Sequence, residues 1–88
     1  MADYTLKFAR TARKELEKLP VALAGRILQR IENLQQNPRP DGAVRLRGAK
    51  NLWRIRVGDY RVVYSTDDAA KIVDVSIVRH RRDIYRDL

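Results

Sequence analysis

With 88 residues the chain has room for one hydrophobic core, so residues 1–88 are expected to form a single domain. No cysteine and a single histidine exclude a disulfide framework, a cysteine-based zinc site and any histidine cluster, and neither a metal nor another cofactor is expected. The formal charge of +8 is unevenly spread: ten of the nineteen Lys/Arg fall in residues 44–61 and 79–86 beside only Asp59 and Asp83, and the remainder of the chain is neutral.

Tyr4, Leu6 and Phe8 alternate with Thr5 and Lys7, the period of a short half-buried strand at or near a sheet edge. From Ala9 the period lengthens. Ala12, Leu16 and Leu19 recur at helical spacing while Arg13, Lys14, Glu17 and Lys18 face outward, and Pro20 breaks the run, which predicts a first helix of about three turns. Pro20 suits the first turn of a second helix, whose apolar stripe of Leu23, Ala24, Ile27, Leu28, Ile31 and Leu34 stops before Asn37 and Pro38. Pro38, Pro40, Asp41 and Gly42 mark a loop, and everything beyond it is strand-like. Val44 and Leu46 alternate with Arg45 and Arg47, Trp53, Ile55 and Val57 alternate with Arg54 and Arg56, and residues 60–66 and 72–78 are rich in β-branched side chains and tyrosine. Gly58 followed by Asp59 suits a type II′ hairpin turn, and a second turn is expected near Asp67 and Asp68. The tail, residues 81–88, reads equally well as a helical turn or as extended chain.

This order predicts an α+β fold: an N-terminal strand and a two-helix hairpin packed on one face of a curved, mainly antiparallel sheet of four or five strands. If Trp53, Ile55 and Val57 lie under the helices, Arg54 and Arg56 project from the open face. The first twenty residues carry charges throughout, and nothing approaches a membrane-spanning run, so a soluble cytoplasmic protein without membrane contact is expected.

The two basic stretches form a local positive field that calls for a polyanion, of which nucleic acid is the commonest. Arg54, Arg56, Arg61, His80, Arg81 and Tyr85 come from neighbouring strands and the tail, and a curved sheet could gather them on one surface. Arg45, Arg47, Lys50, Arg79 and Arg82 extend the basic surface as candidate RNA contacts. His80 has the only ordinary side-chain pKa near neutrality and is a candidate base, while Tyr85 could be a platform for a stacked base. Trp53 reads as core, and Tyr60 and Tyr64 are expected to face away from Arg61. If RNA lies on this surface, its own 2′-hydroxyl can attack the phosphate without a metal, leaving proton transfer and charge stabilisation to the protein.

Three segments carry a resemblance: Leu46-Arg47-Gly48, residues 52–64 (Leu-Trp-Arg-Ile-Arg-Val-Gly-Asp-Tyr-Arg-Val-Val-Tyr) and residues 78–85 (Val-Arg-His-Arg-Arg-Asp-Ile-Tyr). Together with the helical hairpin before them they resemble the RelE/ParE superfamily of type II toxin–antitoxin toxins, and its RelE branch in particular. The resemblance implies the RelE-like microbial ribonuclease fold and a ribosome-dependent endoribonuclease that cuts mRNA in the A site of the small (30S) ribosomal subunit. It also implies a cognate RelB-like antitoxin. By position it implies roles for Arg54 and Arg56, where the best-known members carry lysine, for Arg61 and Arg81, which correspond directly, and for Tyr85 as the C-terminal tyrosine that stacks on or orients the nucleotide. Arginine does not release its proton readily, so a lysine's role as base does not transfer to Arg54, and His80 is the expected substitute. A ParE-like gyrase poison on the same fold and a non-catalytic basic nucleic-acid-binding module are the other readings.

Overall fold

The alternation in the second half of the chain decides how the domain is layered. In the computed structural model, which describes residues 3–48 and 50–82, the elements run β1 (Thr5–Phe8), α1 (Arg10–Glu17), α2 (Val21–Asn33), β2 (Val44–Arg45), β3 (Leu52–Val57), β4 (Tyr60–Asp67) and β5 (Ile72–His80). One five-stranded sheet results, in the order β1-β5-β4-β3-β2. Strand β1 is an edge strand, as its period predicts, and lies parallel to β5, while all other pairs are antiparallel. Ile55, Val57, Val62, Tyr64, Val73, Val75 and Val78 are buried in one cluster with Ala12 and Leu16 of α1 and Ile27 and Ile31 of α2. Both helices therefore cover the same face. Among the described residues no helix is long and apolar enough to cross a membrane.

Helix α1 is about a turn shorter than its apolar period suggests. The amides of Lys18 and Leu19 donate to the carbonyls of Glu15 and Leu16, tightening the last turn to i→i−3 bonds. Leu19 precedes Pro20, which disfavours helical backbone at Leu19 and caps α2 with φ −55° and ψ 145°. Strand β2 is also shorter than expected. It keeps only Val44 and Arg45, although the Leu46 amide still donates to the Leu52 carbonyl. Gly58 has φ +58°, while Asp59 is not among the positive-φ residues, which is the type II′ signature expected for this hairpin.

Strand β5 contains a bulge that the sequence pattern does not reveal. Val63 pairs with Ile77 but Tyr64 with Val75, so Ser76 is an extra residue. The added residue resets the alternation, and Val73, Val75 and Val78 all reach the core despite a spacing of two and then three.

Residues 35–39 are clamped across the sheet. The Tyr4 amide donates to the Gln35 carbonyl (2.8 Å), and Gln35 Nε2 returns a bond to the Tyr4 carbonyl (3.1 Å). The buried Tyr64 hydroxyl donates to the Pro38 carbonyl at 2.6 Å. Arg39 pairs with Asp68 at 3.1 Å and lies over the Trp53 ring, 5.9 Å from its centroid. Trp53 is accordingly half-buried against the core under Arg39 rather than fully inside it. Hydrogen bonds from the Tyr4 hydroxyl and from Arg39 hold the Asp68 carboxyl below its usual range.

Burial pushes the Tyr64 hydroxyl up to about 12. Because the folded state holds this proton more tightly than the unfolded chain, whose tyrosines titrate near 10, the stability it contributes is intact below about pH 10 and is lost as the pH rises toward 12. Tyr64→Phe is expected to lower stability at pH 7 by about 1–2 kcal/mol, since it leaves the Pro38 carbonyl without its partner. In urea unfolding the gap between the two proteins should narrow from pH 10 to 12. A constant gap would mean that this hydroxyl is not what titrates.

Candidate nucleic-acid interface

Pairing across three strands sets the basic residues in rows. Arg56 of β3 lies opposite Arg61 of β4, and Arg61 lies opposite Arg79 of β5. The adjacent row, Ile55, Val62 and Val78, is buried beneath the helices, so the three arginines project from the other face. Side chains paired in this way stand about 5 Å apart at Cβ. The next row on the arginine face holds Val44, Arg54, Val63 and Ile77. Arg54 and Arg56 thus occupy the face that the sequence alternation predicts.

Exposure along the row is uneven. Arg56 is exposed and Arg79 is half-buried, but Arg61 is only 7% exposed. The expectation from sequence that Arg61 and Arg81 are both exposed holds at Arg81 and is corrected at Arg61. It is interior to the sheet, flanked by strands on both sides, and its paired neighbours carry the same charge. Arg81, which is exposed, is fixed just beyond the row by its amide, which donates to the Asp59 carbonyl at 2.7 Å in the β3–β4 turn. Arg82 is exposed beside it.

His80 does not join this group. It pairs with Tyr60, which faces Val57, and its ring meets the Tyr60 ring edge-on at 5.4 Å between centroids. Val57 and Tyr60 pack with the helix-side core, so alternation places His80 on the face opposite Arg61 and Arg79. The expectation that one surface gathers His80 with the arginines is corrected accordingly: His80 and Arg79 are consecutive on one strand and cannot share a face. Tyr60 and Tyr64 do face away from Arg61, as expected. Tyr85 lies outside the described residues.

Arg45 pairs with Trp53 and so falls on the helix-facing side of the sheet at its edge. With Leu46, Arg47, Gly48 and Lys50 it lines a hollow of about 360 Å³. The described basic residues singled out in the sequence are thus divided between the arginine row, with its neighbours, and a separate patch at the β2 edge. Among the described residues no cluster of His, Cys, Asp or Glu could hold a metal ion. What the face can do chemically follows from its guanidinium groups, which stay protonated, present forked donors and match the oxygens of a phosphodiester. The residue that sequence reasoning overlooked is Arg39. Its partners Asp68 and Trp53 are distant in sequence, and no local signal marks them.

The family model for the ParE toxin of the type II toxin–antitoxin system parDE matches residues 6–85. The toxin RelG of Mycobacterium tuberculosis is 34% identical over 84 residues, covering 94% of this chain and 97% of that protein. Among solved structures, the archaeal RelE–RelB complex of Pyrococcus horikoshii superposes with a TM-score of 0.80 at 31% identity, covering 90% of this chain and 96% of that one. The Escherichia coli RelBE toxin–antitoxin complex gives 0.77 at 28% identity, with coverages of 88% and 95%.

Like charges paired directly across strands destabilise a sheet by a few tenths to about 1 kcal/mol. Arg56→Gln is therefore expected to raise stability by up to about 1 kcal/mol at low ionic strength, an advantage that shrinks in 1 M salt, where the screening length is about 3 Å. Thermal unfolding at the two salt concentrations measures this. A loss of stability at low salt would show that Arg56 is held by attraction rather than crowded by its neighbours.

Proposed function

This chain belongs to the RelE/ParE family of toxins from type II toxin–antitoxin systems, and from that footing we propose that it is a ribosome-dependent endoribonuclease that cuts mRNA in the A site of the small ribosomal subunit. The observation that carries the reading is the cross-strand row of Arg56, Arg61 and Arg79, with Arg54 in the next row and Arg81 at its end. Such an array of forked donors suits the binding of a phosphate whose negative charge increases during reaction.

In the proposed reaction the substrate's 2′-oxygen forms a bond to phosphorus as its proton leaves. The bond from phosphorus to the 5′-oxygen breaks, and that oxygen takes up a proton. The products are a 2′,3′-cyclic phosphate and a free 5′-hydroxyl. Arg61, fixed by burial between two strands, binds the phosphate oxygens with little reorganisation, while the exposed Arg56 and Arg81 close around them. Arg54, Arg79 and Arg82 add field and position the strand, and Tyr85 is the proposed stacking platform. None of these guanidinium groups is a ready base, so the site works by charge stabilisation and by exact placement of the substrate, which suits an enzyme that acts on messenger already held by a ribosome. The chemistry calls for no metal, because the nucleophile is intramolecular and the arginines supply the positive charge. The basic patch of Arg45, Arg47 and Lys50 is proposed to contact RNA away from the reacting phosphate. The proposed protein partner is a RelB-like antitoxin, as in the complexes to which this fold is similar.

Because the matching family model is named for ParE, a gyrase poison is the second reading. Purified protein added to a translation reaction, followed by primer extension, separates the two. New 5′ ends that appear only with ribosomes, with 2′,3′-cyclic phosphates on the upstream fragments, support the nuclease, whereas intact messenger together with inhibited supercoiling in a parallel gyrase reaction would replace it with the gyrase reading. Arg81→Ala is expected to lower cleavage by about 10²–10³ with the fold intact. Arg61→Lys, which keeps the charge but not the fork, should lower it by at least tenfold, roughly 1.4 kcal/mol. Unchanged cleavage in both variants would remove the arginine row from the mechanism.

A further inference from the structure

We propose that His80 is a positioning residue: it accepts a hydrogen bond from the Arg82 amide and so fixes the turn that carries Arg81 to the end of the arginine row. This rests on the reading of that row as the cleavage site. The bond runs from the Arg82 amide to His80 Nδ1 at 3.2 Å. An acceptor on residue i that takes the amide of residue i+2 is the arrangement by which Asn and Asp build their local turns, and here an imidazole supplies it. With Nδ1 accepting, the ring proton resides on Nε2.

Three contacts make the turn more than an incidental bond. The Arg81 amide donates to the Asp59 carbonyl at 2.7 Å, which ties the chain to the β3–β4 hairpin. The Arg82 amide is taken by the ring, so both amides that follow β5 are engaged. The ring is itself held edge-on against Tyr60, at 84° and 5.4 Å. This leaves Arg81 with a backbone fixed on both sides, as a group that must meet a phosphate oxygen requires. The same geometry removes His80 from proton transfer. Its ring stands on the Tyr60 face of the sheet, with β5 between it and the arginines.

The test compares His80→Asn with His80→Leu in the full-length protein. Asparagine keeps an acceptor that can reach the same amide but has no titrating ring, whereas leucine keeps the apolar body and loses the acceptor. Two readouts are taken: ribosome-dependent cleavage by primer extension, and hydrogen exchange at the Arg82 amide by NMR. Cleavage within about threefold of the original for His80→Asn and a loss of roughly tenfold or more for His80→Leu is expected, with the Arg82 amide protected in the first and open in the second. Equal losses of about 10²–10⁴ in both variants would make the imidazole an acid or base and overturn the proposal. So would full cleavage in both. If the unsubstituted protein cuts no messenger, the functional reading fails by itself, and the amide exchange alone then decides whether His80 holds the turn: equal protection in all three proteins would refute it.

Discussion

Burying Ile55, Val62 and Val78 beneath the helices settles the side of the sheet on which Arg56, Arg61 and Arg79 emerge, because neighbouring residues on a strand point in opposite directions. The magnitudes show which demand prevails. Each buried aliphatic side chain contributes on the order of 1.5–3 kcal/mol, whereas a pair of like charges across strands costs at most about 1 kcal/mol. A slip of one residue in β4 would relieve the arginines only by turning Val62 and Tyr64 out of the core. The charged row is therefore held in place by the apolar row behind it, and the proposed binding surface inherits its precision from the core.

Arg61 concentrates the tension in this arrangement. A nearly buried guanidinium at an interior strand position, with an arginine on either side in the pairing register, is an uncommon choice for a sheet. Local departures of this sort are where proteins carry function at some expense in stability. A phosphodiester lying along the row would supply negative charge that the guanidinium groups can share. Membership of a toxin family gives this surface a biological setting, and the pairing register gives it a chemical one.

Much of this was legible in the sequence because period and punctuation were clear. The alternation of Trp53, Ile55 and Val57 with Arg54 and Arg56 predicts both the strand and its facing, and Gly58-Asp59 predicts the turn. The failures have particular causes. Helix α1 stops early because Pro20 acts on the residue before it, an effect that outweighs the apolar spacing of Leu19. Grouping His80 with Arg79 and Arg81 treated adjacency in sequence as adjacency in space, which a strand denies. Arg61 looked exposed because arginine usually is, and only its interior strand position shows otherwise. The bulge at Ser76 leaves no mark that differs from an irregular run of valines, and the contacts of Arg39 span about thirty residues to Asp68.

The place of β5 in the sheet bears on how the protein comes into being. Strand β5, the last among the described residues, is inserted between β1 and β4, and it brings Arg79 with it. During vectorial synthesis β1 must wait, with its pairing groups unfilled, for a neighbour 67 residues further along (Thr5 opposite Ile72), so the sheet closes through contacts of long sequence separation. A nascent chain from which β5 has not yet emerged thus has an incomplete arginine row, and the order of translation itself keeps the surface unassembled until that strand arrives.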